Sequence, residues 1–221
     1  MKEIPIPFSG AMVRATLDGR KTQMRIPIAR VKGIYGGAVT EFQKSDTPGY
    51  DFAMRDRRRC WNELSIEGLL QRCPFGQVGD RLWVKETFLG WYNSKDGSFS
   101  HVAAFKADGY ELEPDERWKP SIHMSREASR IILEITDIRV DRLQDIKEEE
   151  CRLEGIFPLI DENGVVECGK RKTNFRTFWD SLYLRKGFGW DSNPWVWVIC
   201  FERVLKEAET YNKRAKEGRH A

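Results

Sequence analysis

No stretch of this sequence approaches the ~18–20 consecutive apolar residues that a membrane-crossing helix needs, so a helical membrane span is excluded. The start, MKEIPIPFSG, has no apolar segment of signal-peptide length, and a cytoplasmic location is the expectation. Cysteine is scarce and odd in number: Cys60, Cys73, Cys151, Cys168 and Cys200, with no C-x-x-C pair. That pattern predicts free thiols rather than disulfides. Zinc-ligand spacing is absent as well, since His101 and His123 would have to join distant cysteines, and no metal or other cofactor is expected. G-x-S-x-G, H-E-x-x-H, a Walker loop and G-x-G-x-x-G are all missing. Three histidines, one of them His220, leave little room for a serine–histidine triad. A dominant sign of charge is lacking too: 37 Lys and Arg face 34 Asp and Glu, a net of +3 that by itself announces no polyanionic partner.

What is present suffices for a core. The 221 residues are 40% hydrophobic and 12% aromatic, which excludes a disordered chain. The sequence reads as one domain over residues 1–204 with insertions at about 29–75 and 156–173, followed by a charged tail over 205–221. Charge is unevenly spread: residues 1–75 hold 13 Lys and Arg against 8 Asp and Glu, net +5, and the remainder is net −2. Its densest point is Arg55, Arg57, Arg58 and Arg59, beside Tyr50, Phe52 and Trp61. Arginines interleaved with aromatics can track a phosphate backbone and stack on bases. A run of this kind can equally be a solvated face.

IPIPFS reads as a short edge strand, where proline is tolerated. Ser9 is placed to cap a helix through Leu17, Gly19 to end it in the left-handed conformation, and TQMRIPI to follow as a strand. From about 29 to 74 glycines and prolines break the pattern and leave one short helix near 63–70. RLWVKETF, FSHVAAFK and ASRIILEITDIRV read as strands, the last bending near Thr136-Asp137. Acidic helices are expected over 141–155. An amphipathic helix is expected in NFRTFWDSLYLRKG, with Phe175, Phe178, Trp179 and Leu182 on one face, and a last core strand in NPWVWVICFERV. About six strands in non-alternating order predict an α+β fold, a small mixed β-barrel with helices packed at its openings.

Chemistry must then rest on Lys, Glu, Thr and Arg. Basic residues that follow a helix-ending glycine and enter a strand emerge at a sheet rim. There Lys21 and Arg25 can reach an anionic or polar ligand, or simply face solvent. Glu86 lies in a strand among Trp83, Val84 and Phe88; facing inward, it needs a cation such as Lys21 or Arg25. Trp179 and Trp197 read as core, and Trp83 and Trp195 as candidates to stack on a base.

Gly19-x-Lys21-x-x-x-Arg25, the Val78-Gly79-Asp80-x-Leu82-x-Val84 turn and strand, and the closing strand up to Phe201 resemble the ASCH family, of the PUA-like superfamily of small β-barrels. GRKTQMR, CPFGQVGDRLWVKETF, RWKPSIHMSREASRI and WDSNPWVWV resemble its prophage-type members. The resemblance implies RNA or a modified nucleoside as partner, held in a cleft beside the barrel around Lys21, Arg25, Glu86 and Glu154. The arginine run, Arg55, Arg57, Arg58 and Arg59, lies outside the resembling segments and is read from its own charge as the contact to the nucleic-acid backbone. One bacterial branch hydrolyses N4-acetylcytidine with a lysine, a threonine three residues later and a distant glutamate. Lys21 and Glu154 match two of these, but the threonine position holds Met24, and Thr22 is the nearest hydroxyl. A lysine beside a carboxylate can stabilise an oxyanion while the carboxylate takes a proton, which would suit an amidohydrolase or ribonuclease. The same two residues can instead form an ion pair that orders the cleft. A third reading is a phage or prophage accessory protein that binds a host protein through residues 29–75.

Overall fold

Local chemistry sets the first elements. The computed structural model describes residues 1–92, 99–156 and 171–205. In it β1 (Glu3–Pro7) leads to α1 (Gly10–Leu17), whose cap Ser9 accepts the Met12 N–H at 3.4 Å. Gly19 follows at φ 71, a left-handed conformation that a residue without Cβ adopts at little cost, and β2 (Gln23–Pro27) begins.

The stretch from 29 to 75 is more regular than its sequence suggests. β3 (Glu41–Lys44), β4 (Phe52–Arg55) and β5 (Trp61–Leu64) form an antiparallel three-stranded sheet, and α2 (Ile66–Leu70) follows with Ser65 as its cap. Then come β6 (Arg81–Lys85), β7 (Phe88–Tyr92), β8 (Phe99–Phe105) and β9 (Ile132–Arg142). α3 (Glu148–Leu153), α4 (Arg171–Tyr183) and β10 (Trp195–Val204) complete the order. The fold is mixed α+β, with ten strands and four α-helices among the described residues. β3, β4, β5 and β7 are the strands beyond the expected set. The described ladders stay open, without a closed barrel. Most of the expected insertion at 156–173 and of the tail at 205–221 lies outside the described residues.

Two compact units result. Of the described residues, the first takes those within Met1–Gly19 and Arg81–Glu134 and from Glu202 on; the second takes those within Arg20–Asp80 and Ile135–Phe201. In the first, β1 runs parallel to β6, from Glu3↔Arg81 to Pro7↔Lys85, and β6 pairs antiparallel with the start of β9. Leu82 and Val84 are buried while Arg81, Trp83 and Lys85 are half-buried, the period-2 alternation of a strand with unlike faces. β7 and β8 form a hairpin, and Phe88 packs with Met124 and Ala128.

In the second unit, β10 lies between β2 and the rest of β9, with β2 paired antiparallel from Val196↔Pro27 to Cys200↔Gln23. Alternation in β9 breaks where Thr136 and Asp137 are both exposed, at the expected bend. α4 buries Phe175 and Trp179 against Leu143, Val196 and Val198. Truncating a tryptophan buried in this way costs about 3–5 kcal/mol. Among the described residues no helix is long and apolar enough to cross a membrane.

Candidate functional site

The residues at the Gly19 turn do meet a partner from far along the chain. Lys21 and Glu154 face each other as an isolated antiparallel bridge, and the Thr22 N–H donates to the Leu153 carbonyl at 2.9 Å. Side chains repeat the backbone link. Lys21 Nζ donates to Glu154 Oε2 at 3.2 Å and to the carbonyls of Glu154 and Gln23 at 3.0 and 2.7 Å. Arg25 reaches Glu154 Oε1 and Glu150 Oε2, both at 3.0 Å. Glu150 also accepts from Arg139, whose Nε donates to Asp141 at 2.9 Å. Charges therefore alternate from Lys21 through Glu154, Arg25, Glu150 and Arg139 to Asp141.

Burial decides what this chain can do. Lys21, Arg25 and Glu154 are 2, 4 and 3% exposed. Desolvating such ions costs several kcal/mol each unless every charge is paired and hydrogen-bonded. Burial pushes the Lys21 ammonium down from its ordinary pKa, with Glu154 opposing. Burial would raise Glu150, but the Lys147 N–H, Arg25 and Arg139 outweigh it and hold that carboxyl below its usual range. Lys21, Arg25 and Glu154 thus come together as expected, but as a sealed brace between β2 and α3 rather than as walls of an open cleft. Both Glu154 oxygens are engaged. Met24 is buried, and Thr22 is half-buried with its carbonyl accepting from the Phe201 N–H at 2.9 Å.

Glu86 finds its cation within the first unit. Arg130 grips it with Nε at 2.9 Å and Nη2 at 3.0 Å, also holds Asp108, and lies 3.8 Å above the Phe105 ring. Glu86, just past the end of β6, is 2% exposed and turned inward onto Arg130, and neither Lys21 nor Arg25 is its partner. Burial pushes the Glu86 carboxyl up, against the pull of Arg130. Glu86 also lines a cavity of about 420 Å³ with Ser9, Arg14 and Lys106. Trp83 is half-buried, with Lys85 Nζ 5.5 Å from its ring centre.

Arg55 ends β4, and Arg57, Arg58 and Arg59 occupy the turn between β4 and β5, residues 56–60. Asp56, 1% exposed, accepts the N–H groups of Arg58 and Cys60 at 2.8 and 3.0 Å, and this fastens the turn. Burial would raise its carboxyl, but those N–H donors and the Arg58 guanidinium keep it below the usual aspartate range. Arg59 sits at φ 64, a conformation uncommon without glycine. Arg57 and Arg59 are exposed, and their guanidinium groups form no ion pair among the described residues. Arg58 lies 4.1 Å over Tyr35, and Arg55 lies 5.8 Å over Trp61 while donating to Glu41. Tyr35 and Trp61 are 55 and 47% exposed.

No family model, curated protein or solved structure matches the chain. Among the described residues no group of His, Cys, Asp and Glu could hold a metal ion. Burial raises the Cys73 thiol to about 11 and Cys151 to about 12, so neither is a thiolate at neutral pH.

Three features escape sequence reasoning. Tyr35, twenty-three residues before Arg58 in sequence, is brought under it only by the fold. Asp56 was visible only as one acid among arginines, yet D-R-R-R-C is a turn in which an aspartate can serve its own backbone. Arg130 and Arg139, the partners of Glu86 and Glu150, carry no local signal at all. Conversely, Phe52 is 2% exposed and cannot stack on a ligand. Trp195 is half-buried beneath Arg142, whose guanidinium lies 4.5 Å from its ring centre.

Proposed function

We propose that the protein binds single-stranded RNA through the β3–β4–β5 sheet and its 56–60 turn. One observation carries this reading: the same turn region carries two exposed guanidinium groups without an ion pair among the described residues, Arg57 and Arg59, and two exposed rings, Tyr35 and Trp61, overlaid by Arg58 and Arg55. Free guanidinium groups neutralise phosphates, and exposed rings and guanidinium planes accept unstacked bases. A PUA-like ASCH architecture belongs to the same reading. Its support is the Gly19 turn and the meeting of Lys21 with Glu154, the two residues the resemblance pairs.

Fluorescence anisotropy with short labelled RNA tests the proposal. Replacing Arg57 and Arg59 by alanine is expected to weaken binding roughly tenfold at low salt and to reduce the salt slope by about 0.7 per lost phosphate contact. Equal binding of the matching DNA strand would widen the ligand to single-stranded nucleic acid. Affinity and salt slope unmoved by the double replacement would overturn the proposal.

A second reading, hydrolysis of an acylated nucleoside or of RNA, is favoured by the 3.2 Å approach of Lys21 to Glu154. It requires the brace to open for substrate. Release of cytidine from N4-acetylcytidine, abolished by Glu154→Gln in a folded variant, would support it.

A further inference from the structure

The first unit holds a cavity that has no part in the function proposed above. Its volume is about 420 Å³, and its walls come from three short segments of the chain. Ser9, Gly10 and Arg14 line it from the start of α1, Glu86 and Thr87 from just past β6, and Lys106 from the single helical turn Lys106–Asp108 after β8. We propose that this cavity binds a phosphate group, free or esterified to a small molecule, through Arg14, Lys106 and the opening turn of α1. The proposal goes beyond RNA binding by the 56–60 turn and does not depend on it, since every lining residue belongs to the first unit.

Two cations at the wall lack a carboxylate. Arg14 makes one described hydrogen bond, from Nη1 to the Ala107 carbonyl at 3.0 Å, and no ion pair among the described residues. Helix geometry fixes its place. Gly10 stands four residues before it on the same face of α1, and a Cβ on Gly10 would come 3.5 Å from Arg14 Nη1 and 3.8 Å from the Ala107 Cα. Gly10, Arg14 and Ala107 all line the cavity, so the guanidinium is pinned at its wall, with Nε and Nη2 free of partners among the described residues. Lys106 is exposed, and its N–H donates to the Thr87 carbonyl at 3.0 Å, which seats the residue at the wall. Its ammonium has no partner among the described residues and, on a four-carbon stem, can turn onto an anion. The acids of the same segments are engaged elsewhere. Arg130 holds both Glu86 oxygens at 2.9 and 3.0 Å and both Asp108 oxygens at 2.7 and 2.8 Å.

α1 adds backbone donors. Ser9 occupies the Met12 and Val13 N–H groups with its hydroxyl and its carbonyl, at 3.4 and 2.9 Å. The N–H groups of Gly10 and Ala11 have no partner among the described residues, and both residues line the cavity. Free N–H groups at a helix start favour negative charge. Three terminal oxygens and close to two charges match two cations and two N–H groups better than the two oxygens and single charge of a carboxylate. The volume lies within the range of about 300–1,000 Å³ typical of small-molecule sites, so a phosphate can enter with the molecule that carries it.

Isothermal titration calorimetry of the full chain at low salt, with inorganic phosphate, AMP and adenosine as probes, tests the proposal. AMP is expected to bind one to one, and adenosine, which lacks the charge, about tenfold more weakly or less still. Phosphate as tight as AMP would identify the free anion as the ligand, and AMP tighter than phosphate a phosphorylated small molecule. Lys106→Met and Arg14→Met keep the stems without the charges, and each should weaken AMP about tenfold, with circular dichroism confirming the fold. In the amide NMR spectrum AMP should shift Gly10, Ala11 and Ala107 most. Arg57→Ala combined with Arg59→Ala should leave the AMP affinity unchanged. Adenosine as tight as AMP, no binding of phosphate or AMP, or an AMP affinity untouched by both methionine variants would sink the proposal. Amide shifts confined to the 56–60 turn would do the same, because the anion would then sit on the basic turn.

Discussion

At the scale of single residues, the second unit depends on a buried line of alternating charge. Glu154 is the hinge of that line, because one oxygen serves Lys21 and the other Arg25. Glu154→Gln leaves two buried cations facing an amide, a defect expected to cost about 3–5 kcal/mol in urea denaturation. Lys21→Met should cost a similar amount alone. Lys21→Met combined with Glu154→Gln should cost clearly less than the sum, since the pair is coupled. Strict additivity in that cycle would show that the two side chains do not act on each other. Glu150 does double duty on the same line, accepting the Lys147 N–H at the start of α3 as well as Arg25 and Arg139.

At the scale of elements, the 56–60 turn holds its shape through Asp56. Its carboxyl is depressed in the folded protein, so its contribution is complete above the unfolded aspartate pKa of about 4 and is lost only as the pH falls through the lower folded value. The RNA affinity proposed for this turn should therefore persist to mildly acid pH. Asp56→Asn keeps one acceptor without the charge and should weaken RNA binding severalfold, with a smaller effect on overall stability. Equal affinity in that variant would show that the turn needs no such fastening. Elements with strong local signals were legible in the sequence: the Ser9 cap, the Gly19 stop, the alternation around Leu82 and the apolar face of Phe175 and Trp179. β3, β4 and β5 were not, because each spans four residues and a period-2 pattern needs more than that to stand out. The candidate site was legible in part. Lys21, Arg25 and Glu154 do converge, and the arginine run is exposed, but burial is a tertiary property that no local motif records.

At the scale of the whole molecule, the chain passes between its units at 19/20, 80/81, 134/135 and 201/202. No single cut therefore releases an intact unit. Fragments 1–134 and 135–221 are each expected to lack a cooperative urea transition and the near-ultraviolet signal of packed tryptophans. A cooperative transition in isolated 1–134 would contradict this. The pairing of β2 with β10 brings Gln23 against Cys200, 177 residues later. At a synthesis rate of 5–20 residues per second, that interval is roughly 10–35 s. During this time Lys21 and β2, with its Arg25, leave the ribosome before Glu150, Glu154 and the neighbouring strand exist to meet them. The nascent chain thus presents a basic, unpaired strand edge for most of its own translation, and holding that edge soluble until the last strand arrives is a task for the cell's chaperones.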